Sequence, residues 1–363
     1  MILNSLLQQA INNFDKKKFE KSIQLFEKIL EKEPNNSEII TNKATCLAEL
    51  GRYEESIEQL EKVLNQNPDD FDVWYNKATT LYDMGKYDDA LNGFNHALTI
   101  NSDDTNALCN KANVFVALGR HDDAISTYKD ALKINPVDIE ILNNIGIVYA
   151  GEKQHYRAIE YFESALNKKK NDIDSLCNLG NSLLEIEKFR LSYECFKQAV
   201  KHDPNDFDAL FRLGIACNNL KKPEEALMHF TTILRNEKDN TDAIINKGYS
   251  LHLLKKYKQA ILCFDKILKE NPEDMNSLYL KAKSTVKQQN NKKACMLISK
   301  LLKLERKNDH HNHEHEHEGN EHEHEGNGHK HFLNKIKKDS DFIGLKNDIN
   351  FKILIRDYNV SNS

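Results

Sequence analysis

Proline is scarce in this chain, with six residues in 363, and glycine is scarce too, with thirteen. That poverty excludes collagen-like and Pro/Gly-rich low-complexity architectures. The seven cysteines are scattered, odd in number and never in a C-x-x-C pair. They form neither a disulfide framework nor a zinc signature and read as small apolar residues in a reducing cytoplasm. No charge of one sign dominates: 51 basic residues stand against 56 acidic, a formal charge of −5. The balance argues against a nucleic-acid stripe or a polybasic membrane anchor. No apolar run approaches the ~20 residues needed to span a bilayer. The start, Met1 to Gln9, lacks a basic n-region and a small-residue cleavage site, so no secretory signal is expected. Phosphate-cradling glycine loops, G-x-S-x-G, H-E-x-x-H and a Cys/His nucleophile pair are all missing. A cytoplasmic, non-catalytic protein without a resident cofactor is the expectation.

What the chain has is a period. Pro34, Pro68, Pro136, Pro204 and Pro272 fall at multiples of 34, and the skipped slots hold Ser102, Lys170 and Lys238 in polar clusters. A period of this length means stacked units, each too small to bury a core alone. The lattice gives nine units: 3–36, 37–70, 71–104, 105–138, 139–172, 173–206, 207–240, 241–274 and 275–308. Each carries two apolar segments of helical spacing separated by a polar turn. In the third, Trp74, Ala78 and Leu81 mark a first helix, Gly85 breaks it, and Ala90, Phe94 and Ala97 mark a second. Gly51, Gly85 and Gly119 share the slot where a left-handed residue ends the first helix. From the fifth unit on, Lys153, Glu187, Lys221, Lys255 and Gln289 stand there, each expected to cost about 1 kcal/mol if left-handed. Small residues recur in two rows. One runs Ala10, Ala44, Ala78, Ala112, Gly146, Gly180, Gly214, Gly248, Ala282. The other runs Ser22, Ser56, Ala90, Ala124, Ala158, Ser192, Ala226, Ala260, Ala294, with Phe94, Tyr128, Phe162, Phe196, Phe230 and Phe264 interleaved. Large against small predicts close helix packing.

These residues resemble the tetratricopeptide repeat. The order Trp74, Ala78, Leu81, Gly85, Tyr87, Ala90, Phe94, Ala97 meets that family's pattern, and nine units keep one phase over about 3–308. The resemblance implies an all-α fold, a right-handed superhelical solenoid of about nine helix-turn-helix repeats. It also implies a concave face, lined by first helices, that binds peptide. Lys43, Lys77, Lys111, Lys247 and Lys281 depart from the family's usual Leu, and their stems are expected along the core with the ammonium in water.

On the expected inner face, Asn42, Asn76, Asn110, Asn144, Asn178 and Asn246 share one position, interrupted by Arg212. One amide per repeat can donate to and accept from an extended peptide backbone without reading its side chains. The row is similar to the asparagine ladder of O-linked N-acetylglucosamine transferases. Tyr75, Tyr82, Asn113, Asn181, Phe211 and Tyr249 neighbour it, with His252, as candidate anchors. The acidic row Glu38, Asp72, Glu140, Asp174, Asp208, Asp242 fits helix N-termini. Around Arg212 the slots that a chaperone-tail carboxylate clamp would fill with Lys hold other residues, and Asp208 opposes a carboxylate. No such clamp is expected.

After 308 the composition changes abruptly. Nine of the fifteen histidines (His310, His311, His313, His315, His317, His322, His324, His329, His331) fall among glutamates in 309–331. Lacking apolar residues, this stretch reads as a linker without a fold of its own, with donors suited to weak Zn²⁺, Ni²⁺ or Cu²⁺ binding. Residues 332–358 then offer Phe342, Leu345, Phe351 and Leu354 at helical spacing, a cap for the last repeat's open face. The leading expectation is a scaffold or adapter that binds extended protein segments. The alternatives are a metal-handling protein and a non-catalytic subunit of a protein-modifying complex.

Overall fold

The structure, a computed structural model, describes residues 2–315 and 331–360. Of the candidate metal ligands, His317, His322, His324 and His329 lie outside these residues. The chain divides into two compact units, residues 1–182 and 183–363. The first contains α1 (Ile2–Asp15), α2 (Phe19–Leu30), α3 (Ser37–Glu49), α4 (Tyr53–Leu64), α5 (Phe71–Asp83), α6 (Tyr87–Ile100), α7 (Thr105–Ala117), α8 (His121–Ile134), α9 (Ile139–Gly151) and α10 (His155–Lys168). Helix α11 (Ile173–Glu185) begins in it and ends in the second. There follow α12 (Phe189–His202), α13 (Phe207–Asn219), α14 (Pro223–Asn236), α15 (Thr241–Leu253), α16 (Tyr257–Glu270), α17 (Met275–Lys287) and α18 (Asn291–His315). The second unit closes with α19 (His331–Lys338), a 3₁₀ turn (Ser340–Leu345) and α20 (Ile349–Val360). Among the described residues there is no strand. The fold is an all-α solenoid of consecutive packed helix pairs.

The phase of the lattice survives residue by residue. From the second repeat on, every first helix starts at its unit's opening residue, and every second helix starts 34 after the last. The cause lies one residue earlier. Asn36, Asp70, Asp104, Asp138, Asp206, Asn240 and Asp274 are N-caps whose side chains accept a backbone N–H of the first turn, at 2.8 Å from Ala107 N to Asp104 and 2.9 Å from Ala209 N to Asp206. Asp172 does the same for Ser175 at 3.1 Å. An Asx every 34 residues satisfies an otherwise orphan donor, worth about 1 kcal/mol each. The expected acidic residues Glu38, Asp72, Glu140, Asp174, Asp208 and Asp242 do occupy first turns.

Each turn inside a hairpin is left-handed whether or not glycine stands there. Gly85 has φ +75°, Lys221 +57° and Gln289 +62°. In the third repeat Lys86 N closes back onto Leu81 O at 2.9 Å and Gly85 N onto Tyr82 O at 2.8 Å, which satisfies the last carbonyls of α5.

The two small rows are buried where helices touch. Ala44, Ala78, Ala90 and Ala260 are fully buried, and so are Phe230 and Phe264. A Cβ on Gly214 would lie 2.6 Å from Phe230 Cζ, and one on Gly248 2.7 Å from Phe264 Cε1. Those rings therefore fill the space that glycine vacates. Three of the five lysines at the family's Leu position end on carboxylates. Lys43 reaches Glu27 at 2.8 Å, Lys77 reaches Glu61 at 2.9 Å, and Lys281 pairs with Asp265. Each carboxylate belongs to the second helix of the preceding repeat, so these cations pair across repeats.

Helix α18 runs to His315, past the 308 boundary expected from the lattice. Beyond it, α19 and α20 pack on α18 while the 3₁₀ turn packs on α17. Leu333, Ile336, Phe342, Leu345, Phe351 and Tyr358 join Leu278, Ile298, Leu301 and Leu302 in one buried cluster, with Leu354 partly buried against it. The apolar face of the last hairpin is covered by the segment that the sequence offers for it.

Candidate functional site

The candidate amides all lie on first helices, one per helix, and all are half-buried. They differ in what their side chains already do. Asn76 Nδ2 donates to Asp72 O at 2.8 Å and Asn246 Nδ2 to Asp242 O at 2.9 Å, one turn back along their own helices. Asn110 Nδ2 donates to the Tyr75 hydroxyl at 2.8 Å, across to the preceding repeat. Asn42, Asn144 and Asn178 make no side-chain hydrogen bond among the described residues. In the first unit, a cavity of about 590 Å³ is lined by Asn144 and Asn178 together with Asn143, Ile147 and Cys177. Two unoccupied amides one repeat apart thus face one concavity.

Below them is a buried network that joins successive first helices. Asn143 Nδ2 donates to Ser175 Oγ at 2.8 Å, and Ser175 Oγ donates to Asp172 at 2.7 Å. Lys169 completes it at 2.9 Å from Asp172. The second unit has two couplings of the same 32-residue spacing, further along the first helices. Ser250 Oγ donates to Asn218 Oδ1 at 3.0 Å, and His252 Nδ1 meets Ser284 Oγ at 2.9 Å. Each joins residues 32 apart, two short of the lattice, which is why a search at 34 passes them by. The recurrence of Ser250 and Ser284 at one buried position was the available signal.

The aromatic neighbours are shared between surface and packing. Tyr75 stacks on Phe71 at 6.0 Å and meets the edge of Phe94 at 5.9 Å. Phe211 packs edge-on against Phe230 at 5.7 Å, Tyr82 lies beside Tyr87, and Tyr249 stacks on His252. Asn113 accepts the Tyr128 hydroxyl, and burial pushes that phenol's pKa up. Asn181 Oδ1 is buried without a hydrogen-bond partner. In the second unit, exposed Arg212 and half-buried Phe211 line a cavity of about 520 Å³ with Asp208, Glu237 and Asp242. Carboxylates outnumber the guanidinium there.

Of the described histidines at the candidate metal segment, His310, His311, His313 and His315 belong to the last turns of α18. His331 opens α19 with its ring edge on Phe332, 5.1 Å between centroids. No group of three or more His, Cys, Asp or Glu is arranged to hold a metal among the described residues. Burial pushes the Cys109 and Cys217 thiols up to about 12 and Cys295 to about 11, away from the thiolate that a nucleophile needs. No described helix is long and apolar enough to cross a membrane.

Hairpins in strict phase, each packed on the next, define a helical-repeat protein. Family models described as tetratricopeptide repeat match residues 13–79, 69–136, 109–174, 177–243 and 241–274. The chain belongs to the tetratricopeptide repeat family. No curated protein sequence matches it. Among solved structures it is similar to the C-terminal part of a repeat protein from Cytophaga hutchinsonii, at 16% identity and TM-score 0.56, over 64% of this chain and 96% of that one. The Cut9–Hcn1 hetero-tetramer of the APC/C matches at 19% identity and TM-score 0.50, over 77% of this chain and 55% of that one. YrrB, described as a repeat protein with an unusual peptide-binding site, matches at 21% identity and TM-score 0.43, over 51% of this chain and 95% of that one.

Proposed function

We propose that this protein is a non-catalytic scaffold whose first-helix wall binds extended segments of partner proteins. The observation that carries the reading is the pair Asn144 and Asn178, half-buried, free of internal hydrogen bonds and lining one cavity. A half-buried amide without a partner pairs with a ligand's backbone at little desolvation cost, and a repeat of amides matches an extended chain. Membership of a family of protein-binding repeats supports it, as do the raised cysteine pKa values, which leave no thiolate for chemistry. The partners are proteins; neither nucleic acid nor membrane is among them, and a chaperone's C-terminal carboxylate does not suit the carboxylate-lined cavity around Arg212. The compartment we assign is the cytoplasm.

The test is Asn144→Ala combined with Asn178→Ala in the full chain. Peptides are first selected from a displayed random library, then titrated calorimetrically against both proteins. Losing two amides at about 1 kcal/mol each weakens binding about thirtyfold, with the melting temperature unchanged. Peptides that bind both proteins equally refute the ladder, and a large drop in melting temperature makes it structural.

A further inference from the structure

The cap of the last repeat does more than close an apolar end. Helices α19 and α20 cover α18, but the 3₁₀ turn between them crosses to α17 and its acidic start reaches α15. The contacts made there are polar and complete. Asp339 Oδ1 accepts Asp341 N at 2.9 Å, while its Oδ2 takes the Tyr279 hydroxyl and the Lys283 ammonium, the latter at 2.8 Å. Asp341 Oδ2 meets His252 Nε2 at 3.0 Å and Lys283 at 3.1 Å, and its Oδ1 meets Lys287 at 2.9 Å. Phe342 follows, buried, with its ring 5.7 Å from that of Tyr279.

The register of the receiving residues shows which surface this is. Tyr279 occupies the slot of Tyr75 and Phe211, Lys283 that of Asn113, Asn181 and Tyr249, and His252 that of Tyr82. These are the candidate wall positions, not the end face of the ninth repeat. His252 belongs to the eighth repeat, which α17 and α18 already cover. An end cap has no need to reach it. The lysines are specific to this place as well. The slots of Lys283 and Lys287 hold Thr45 and Glu49 in the second repeat, Thr79 and Asp83 in the third, Ile215 and Asn219 in the seventh, Tyr249 and Leu253 in the eighth. No other repeat has lysine at either. Two ammonium groups stand where two carboxylates land, with a phenol and an imidazole filling the remaining acceptor positions.

We propose that the inner wall of the eighth and ninth repeats is a receptor site for an Asp-x-Asp-aromatic segment, that Asp339 to Phe342 fill it in cis, and that a partner protein bearing the same chemistry takes the site by displacing them. The proposal deepens the scaffold reading by naming a ligand class, and rests on it only for the partner's being a protein. Exchange is favoured by the kind of contact: the segment is tied to α15 and α17 largely through charged side chains that an incoming carboxylate pair replaces one for one. Asn144 and Asn178 play no part in it.

The probe is a fluorescent peptide with the sequence of residues 337–347, titrated by anisotropy against the full chain. Asp339→Asn with Asp341→Asn removes the charges that hold the cis segment. This variant binds the probe at least tenfold more tightly than the wild type, and hydrogen exchange at 339–345 rises. Adding Lys283→Ala and Lys287→Ala abolishes that binding, as does placing Asn at both aspartates of the probe. Asp341→Asn alone, which keeps the turn contact of Asp339, shows the same order of affinities if the double variant does not fold. The proposal is overturned if the probe fails to bind a variant whose segment exchanges freely, if it binds the lysine variant equally, or if the segment stays protected once both aspartates are gone. Asn144→Ala with Asn178→Ala leaves the probe's affinity unchanged, so failure of the ladder and failure of this site are separate results.

Discussion

Lys221 holds φ at +57° in a slot that Gly51, Gly85 and Gly119 fill in earlier repeats. An L-residue gives up about 1–2 kcal/mol in that conformation, and glycine recovers part of it after its own entropic loss. Lys221→Gly is therefore expected to stabilise the protein by about 0.5–1 kcal/mol, and Gly85→Lys to destabilise it by as much, read from chemical denaturation midpoints. This strain was legible in the sequence because a backbone requirement repeats at the same slot regardless of the residue filling it. The N-caps at Asn36, Asp70, Asp104 and onward were equally regular but lay in the shadow of the prolines beside them. The destination of Lys43 and Lys77 was not legible. A long cation's partner depends on which carboxylate the neighbouring helix brings near, and periodicity along one helix does not carry that information.

The hairpin is the element in which most of the fold can be read from residues alone. Small against aromatic, as in Gly214 beneath Phe230, fixes which faces meet, and the 34-residue phase fixes where every helix begins. Couplings between hairpins are harder, because Asn218 with Ser250 and His252 with Ser284 join partners 32 apart. His252 gives this coupling a measurable signature. Its ring is buried, stacked by Tyr249 and beside Tyr257, and faced by the charges of Asp341, Lys283 and Lys287. The Asp341 carboxylate only accepts, so Nε2 carries the hydrogen toward it, while Nδ1 faces the Ser284 hydroxyl. Burial holds its pKa below the ordinary imidazole value of about 6.5, against the pull of Asp341. The unfolded chain then binds more protons than the folded one just below that value, and stability falls as pH falls through the window. Burial lowers His229 in the same way and adds to the slope. Denaturant titrations between about pH 7 and pH 5.5 are expected to show this loss, and His252→Gln to show a shallower one.

For the whole molecule, nearest-neighbour packing makes length a matter of whole units. Excising residues 105–138, one repeat in phase, joins α6 to α9 across an interface of the kind already present on either side. That protein is expected to melt cooperatively with helicity reduced in proportion, followed by circular dichroism. Excising half a repeat pairs two first helices and is expected to collapse the melt. The array and its cap were legible because both are written in apolar periodicity. The candidate site was legible only in part. Asn144 and Asn178 line one cavity without an internal hydrogen bond, Asn110 is bound to Tyr75, and nothing in the sequence separates a free amide from an engaged one. The aspartates of the 3₁₀ turn were visible in the sequence as part of a cap, but their landing on α15 and α17 follows from a chain reversal that only the fold displays.

The order in which translation proceeds gives the late position of the cap a further consequence. Ile298, Leu301 and Leu302 leave the ribosome well before Phe342, Leu345, Phe351 and Tyr358 are made. During that interval the newest hairpin presents an adhesive flank to its surroundings, the kind of nascent surface that chaperones shield. A message cut short before the codon for Phe342 would leave that flank open for good, and its product would be prone to aggregate however sound its first eight repeats.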